Sequence, residues 1–314
     1  MVKPLTGQSV VAVYASTADV WTLAKLPDTG QTGIFAPYAG YLMDADYTIN
    51  PPSYTDNGNG TVTDNVTTLI WQQQDDDVGR TWDEAKTYCD SLELAGYTDW
   101  RLPSIMEIYS IMNYGTYNPA IDSTYFPNTQ PSDPNIDADF WSSTPMAGDD
   151  SQARAAGFGN ANTFDMAPGY EKKSDTNYAR CVRGGTAFSG KVFTDNGNGT
   201  VTDNRTRLMW RQGETDGMAG TRDRQLSTCE NLILAGYSDW RLPNIRELFS
   251  IMDFSKSSGP WIDTRYFPRT DDGAGVYASS SDPPNVKNQY FGVRFGSRDY
   301  NGSTFLRCVR GDGQ

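Results

Sequence analysis

An α+β protein of two tandem modules is the fold class the sequence predicts, and three observations predict it. The stretch "YTDNGNGTVTDNVTTLIW" (54–71) returns as "FTDNGNGTVTDNRTRLMW" (193–210) with fourteen of eighteen positions identical. "LAGYTDWRLPSIMEIYSIMN" (94–113) returns as "LAGYSDWRLPNIRELFSIMD" (234–253) with fourteen of twenty. Each copy mixes helix-period segments with short β-branched runs and closes on "RCVRG", at 180–184 and 307–311. The period is too long for a solenoid repeat, so the copies are domains: module one at 54–185 and module two at 193–311, after an N-terminal extension, 1–53.

In that extension "VVAVYA" (10–15) has the character of a strand that could add to an exposed sheet edge, in this chain or a neighbour, and "LPDTGQTG" (26–33) reads as linker. Each module then opens on "NGNGTVTD", whose Asn-Gly steps tolerate positive φ and whose "TVT" favours strand, so a hairpin is expected. "TWDEAKTYCDSLELAG" (81–96) reads as a helix: Thr81 and Glu84 form a capping box, Ala85, Tyr88, Cys89 and Leu92 share a face, and Gly96 sits where a helix stops. Its counterpart, from about Arg222, lacks the capping Glu. In "DWRLP", Trp100 and Leu102 should enter the core while Arg101 pairs with a carboxylate or with backbone carbonyls. Ser104 with Glu107, and Asn244 with Glu247, cap a second short helix. Then come the strands "FWSST", "QYFGVRFG" and "STFLRCVRG", the last two joined by a hairpin turn at Asp299-Tyr300-Asn301-Gly302.

Each module has one cysteine in its first helix (Cys89, Cys229) and one in its closing strand (Cys181, Cys308). Of the three pairings four cysteines allow, only Cys89 with Cys181 and Cys229 with Cys308 make the modules self-contained and equivalent. These disulfides would contribute roughly 4 to 5 kcal/mol each by loop entropy, and they imply export to an oxidising compartment.

Composition excludes several functions. With 39 acidic and 26 basic residues the chain carries a net charge of −13, which repels nucleic acid and anionic membrane surfaces. No apolar run is long enough for a transmembrane segment, and no signal segment is recognisable. There is no histidine, which removes Ser-His-Asp and Cys-His nucleophile systems and imidazole-ligated metals. No carboxylate pair stands out for hydrolysis.

The ordered motifs "FTDNGNGTVTDNRTRLMW", "GYSDWRLPNIRELFSIMD", "YFP", "WSST" and "RCVRG" resemble the bacterial Lcl C-terminal-like domain family, in both modules. That family is similar to the C-type lectin fold, in which a disulfide joins the first helix to the last strand, and "WRLP" before a capped helix is similar to formylglycine-generating enzymes. The likeness implies a binding scaffold rather than a reaction. The calcium-lectin signatures "EPN", "QPD" and "WND" are missing, as is the close cysteine pair of the formylglycine enzymes.

Function is therefore expected where the modules differ, in the insertions between the second helix and the closing strands. The candidate ligand contacts are Trp141, Tyr170, Trp261, Tyr277, Arg294, Arg298, Tyr300 and Asn301. Asp56, Asn57, Asn59 and Asp64 could hold calcium, which is allowed rather than required, although a plain hairpin explains them as well. The expected protein is a non-enzymatic, extracellular or cell-surface adhesion protein recognising a glycan or a surface protein and needing no cofactor. The alternative is the structural subunit of a filament or coat that self-assembles through residues 1–53.

Overall fold

The computed structural model describes residues 25–32, 41–47, 50–129, 139–158, 169–185, 188, 190, 192–215, 221–270, 275–284, 290–296 and 303–311. In module one the elements are β1 (Tyr54–Asp56), β2 (Thr61–Asp64), β3 (Ile70–Gln72), α1 (Trp82–Asp90), α2 (Ile105–Ile111), β4 (Asp139–Pro145), β5 (Gln152–Gly157), β6 (Tyr170–Lys172) and β7 (Val182–Arg183). Module two has β8 (Phe193–Asp195), β9 (Thr200–Asp203), β10 (Met209–Arg211), α3 (Arg222–Glu230), α4 (Ile245–Ser250), β11 (Val276–Ala278), β12 (Gly292–Val293), β13 (Thr304–Phe305) and β14 (Val309–Arg310), in which β13 lies parallel to β11 as Tyr178 bridges Phe140 in module one, and β6 has no counterpart among the described strands. The sheets run β1-β2-β3-β7 and β4-β5-β6 in module one, β8-β9-β10-β14 and β12-β11-β13 in module two. This is a mostly-sheet α+β architecture in two tandem copies.

The hairpins form where Asn-Gly steps predict them. Gly58 and Gly60 take φ of 67° and 82°, a region that costs an L side chain about 1–2 kcal/mol, so β1 and β2 can pair Thr55 with Thr63. α1 begins at the Thr81–Glu84 box as expected. It ends at Asp90, six residues before Gly96. "LAGY" is instead a tight turn of its own: Ala95 and Gly96 both have positive φ, and Leu94 and Tyr97 exchange backbone hydrogen bonds across it. β12 and β13 do not form the expected hairpin, because β11 lies between them and pairs with β13 in parallel. The Asp299–Gly302 turn itself lies outside the described residues.

Both disulfides form as the repeat predicted, Cys89–Cys181 and Cys229–Cys308, each buried and closing separations of 92 and 79 residues. Around each, the first helix packs on the second sheet, with Trp100 and Leu102, or Trp240 and Leu242, in the core.

The modules also share one apolar core. Tyr109 of α2 stacks on Phe249 of α4 with ring centroids 4.6 Å apart, and these two residues hold the same position in the repeat. Strand register fixes two further equivalences. Phe140 pairs with Ala156 and Tyr277 with Val293, so Arg154 and Phe291 correspond, as do Tyr114 and Phe254. Tyr114 meets Phe291 edge-on at 5.5 Å, and Phe254 receives the Arg154 guanidinium at 4.9 Å. Equivalent residues thus meet reciprocally, as at the isologous interface of a twofold dimer.

The segment "LPDTGQTG" is not linker. Leu26, Asp28, Thr29 and Gln31 are all buried against both modules, and Tyr114 N–H donates to Thr29 O at 2.9 Å. Approach is so close that a Cβ on Gly115 would lie 2.5 Å from Gly30 O. The "VVAVYA" strand lies outside the described residues.

Replacing Cys89 and Cys181 together by serine is expected to lower stability by about 4 kcal/mol, read by chemical denaturation. Thiol titration of the denatured, unreduced protein should find no reactive thiol; four would contradict the pairing.

Candidate functional site

A cleft of about 390 Å³ opens on module one. Lys86 and Asp90 line it from one face of α1, four residues apart. Arg101 and the first turn of α2, with Ile105 and Met106, form its floor, and Ser143 and Thr144 of β4 its wall. Phe254 of module two and Phe188 complete the rim. Arg101 donates to both oxygens of Glu107, at 2.8 and 2.7 Å, and to Gly185 O. The Arg101 side chain is 26% exposed and Glu107 only 1%. Thr144 Oγ1 accepts from Ile105 N–H, and the Lys86 ammonium lies 4.3 Å from the Trp82 ring.

The repeat maps this cleft onto module two, where Leu226, Glu230, Arg241, Arg246, Ser280 and Ser281 stand for Lys86, Asp90, Arg101, Met106, Ser143 and Thr144. There the space is filled by the chain's own N-terminal segment. Leu42 N–H donates to Glu230 Oε1 at 2.6 Å, and Asp44 N–H to Ser280 O at 3.3 Å. The Asp44 carboxylate accepts from the Thr29 and Ser281 hydroxyls. Tyr47 lies under Arg241, whose guanidinium is 4.3 Å from the ring, and its hydroxyl meets Ser280 Oγ at 2.8 Å. Arg246 donates to Asp28 O and to Met112 O, joining the segment to both modules. Gln31 donates to Tyr114 O and Asp282 O, and accepts from Asp282 N–H. With Tyr47 stacked against it, Arg241 is 8% exposed in the side chain, against 26% for Arg101.

Electrostatics follow burial. Desolvation and the nearby Asp28 charge push the Asp44 carboxyl up to about 7, against the pull of its Ser281 and Thr29 hydrogen bonds. Burial would push the Arg241 guanidinium down, but the Glu247 carboxylate outweighs it and raises it above its ordinary value.

The expected ligand contacts scatter. Trp141 is fully buried, its indole N–H donating to Arg80 O at 2.8 Å beside the Cys89–Cys181 core. Tyr277 is fully buried, with its hydroxyl on Glu214 and its ring 4.7 Å from Phe295. Trp261 is 4% exposed and packs across the module interface, 5.4 Å from the Arg154 guanidinium. These three rings are core, because β4, β11 and the turn before them face inward. Tyr170 is 50% exposed on β6, at the edge of its sheet, and Arg294 is half-buried. Arg298, Tyr300 and Asn301 lie outside the described residues.

The oxygens considered for calcium bond within the hairpin: Asp56 accepts from Gly58 N–H, Asn57 bonds Thr61 and Thr63, and Asn59 accepts from Thr61. Asp64 is buried in the next turn, accepting from Val66 and Thr67. No cluster of three His, Cys, Asp or Glu side chains with metal-binding geometry occurs among the described residues. Sequence reasoning missed the cleft, although the changes from Lys86 to Leu226 and from Met106 to Arg246 were visible between otherwise matched helices.

A duplicated, disulfide-braced α+β frame with one cleft open and its twin filled defines the class: a tandem-module scaffold. The Lcl C-terminal domain family matches residues 60–183 and again 199–310, so the chain belongs to that family in two copies. No curated protein matches the chain.

The Asp44 carboxyl binds its proton more tightly in the folded than in the unfolded protein. Its contribution is therefore full below about pH 4 and is lost as pH rises through about 7. Wild type should lose on the order of 1–3 kcal/mol more than Asp44→Asn between pH 5 and pH 8 in paired denaturation curves.

Proposed function

We propose that the protein is a non-enzymatic, extracellular binding protein that recognises a glycan or a surface protein through its modules. The observation that carries this reading is the module-one cleft, a preformed concave surface on a rigid frame. Of its acidic groups Asp90 and Glu107, Glu107 is engaged as helix cap and as partner of Arg101, which suits a structural rather than a proton-transferring role. The absence of histidine from the chain and the resemblance of its motifs to a lectin-like scaffold support the same reading. Two disulfides suit an oxidising compartment, and among the described residues no helix is long and apolar enough to cross a membrane. Exposed Tyr170 adds an aromatic surface on which a sugar ring could stack. Calcium is not required, because contacts of this kind need no metal.

A second reading, a structural subunit of a filament or coat, is favoured by one observation. Residues 26–31 and 42–47 dock into module two by hydrogen bonds that a neighbouring chain's segment could equally make. Sedimentation at increasing concentration decides between them: a monomer supports the binding protein, and open-ended growth lost on deleting residues 1–47 supports the subunit.

Screening the intact protein on glycan and surface-protein arrays, with and without chelator, should give saturable, chelator-insensitive binding. Turnover of a bound ligand would refute the non-enzymatic reading.

A further inference from the structure

The filled groove of module two shows what this surface holds when it holds something. Its occupant is extended polypeptide, recognised in part through the backbone: Glu230 takes the Leu42 N–H and Ser280 O takes the Asp44 N–H. It is also recognised by side chain, the Asp44 carboxylate by a hydroxyl and the Tyr47 ring by an arginine. Module one retains each of these groups at the equivalent place, as Asp90, Ser143, Thr144 and Arg101, and all four line the open cleft.

We infer that the module-one cleft is a docking site for an extended acidic segment of a partner protein, an aspartate or glutamate followed three residues later by an aromatic ring. This inference rests on the binding-protein reading and names the ligand chemistry of its cleft. Asp90 would accept a backbone N–H, Thr144 would meet the carboxylate, and the exposed side of Arg101 would cover the aromatic ring. Two departures from module two sharpen the preference. Lys86 stands where Leu226 packs, adding a cation to the cleft lining and favouring an acidic ligand. Met106 stands where Arg246 reaches Asp28 O, so the cleft lacks the donor that fixes the N-terminal segment and can release its occupant. A second copy is the poorer occupant. Its own segment is seated in its own module two at high effective concentration, and two chains of net charge −13 repel.

The test uses the intact protein and a fluorescein-labelled peptide with the sequence of residues 41–47, "YLMDADY", read by anisotropy. Saturable binding is expected. Lys86→Glu should weaken it about fivefold or more, and Met106→Arg, which sets a further cation in the cleft against the acidic peptide, should tighten it about fivefold. A peptide with both aspartates changed to asparagine should bind more weakly. Circular dichroism checks the fold of each variant, and Lys86→Glu alters a half-exposed side chain outside the core. Absence of binding to both wild type and Met106→Arg overturns the proposal, as does binding that neither substitution changes. Self-association of the protein abolished by Lys86→Glu also overturns it, by making a second copy the occupant. A glycan captured on the array without peptide binding refutes the inference and leaves the binding-protein reading standing; peptide binding with an empty glycan array supports both.

Discussion

The structure depends on one carboxylate per module. Glu107 and Glu247, each 1% exposed in the side chain, accept the backbone N–H of the helix cap residue, Ser104 or Asn244, and both arms of an arginine, Arg101 or Arg241. That arginine's backbone bridges to the closing strand at Val182 or Val309, and its guanidinium reaches Gly185 O or Gly311 O. A single buried charge therefore fixes the start of the second helix, the "DWRLP" segment and the chain end that carries the disulfide. Burying it is tolerable because three donors, two of them from the arginine, surround it; removing the arginine would strand a charge in the core, a loss of about 3–5 kcal/mol.

With the second helices so placed, the pairing of modules follows. α2 and α4 present equivalent aromatic residues, Tyr109 and Phe249, and a duplicated domain whose exposed helix face is apolar can satisfy it against its own copy. The stack itself is worth only about 0.5–1.5 kcal/mol beyond burial. Reciprocal contacts of Tyr114 with Phe291 and of Phe254 with Arg154 extend it, the second exchanging a ring for a guanidinium that stays attractive to the same aromatic face.

Much of this was legible in the sequence because it is local. Asn-Gly turns, the Ser104–Glu107 and Asn244–Glu247 caps and the cysteine positions each name a chemistry within a few residues, and the repeat then paired the sulfurs without any distance information. What was not legible depended on partners far along the chain. Asp28, Gln31 and Asp44 are polar residues of a turn-rich stretch, and they are buried because Arg246, Ser281 and Asp282 supply bonds from more than two hundred residues away. No periodicity announces that kind of burial. For the same reason Trp141, Trp261 and Tyr277 read as surface aromatics: a ring in a glycine-rich or serine-rich run does not reveal which way its strand faces. The end of α1 was misplaced because Gly96 has the positive φ of a helix stop while serving a separate tight turn.

A twofold arrangement of two modules produces two equivalent grooves, but a chain has one N-terminus, so only one groove can receive the segment that precedes module one. The two grooves differ accordingly. The filled groove carries Arg246, which donates to carbonyl oxygens, and the apolar Leu226, and its Arg241 is covered. The groove left open carries Met106, which cannot donate to a carbonyl, and the cationic Lys86, and keeps the exposed face of Arg101. Duplication thus supplies the frame twice, while the single tether divides the copies into one whose groove is filled by the chain's own segment and one whose groove stays open.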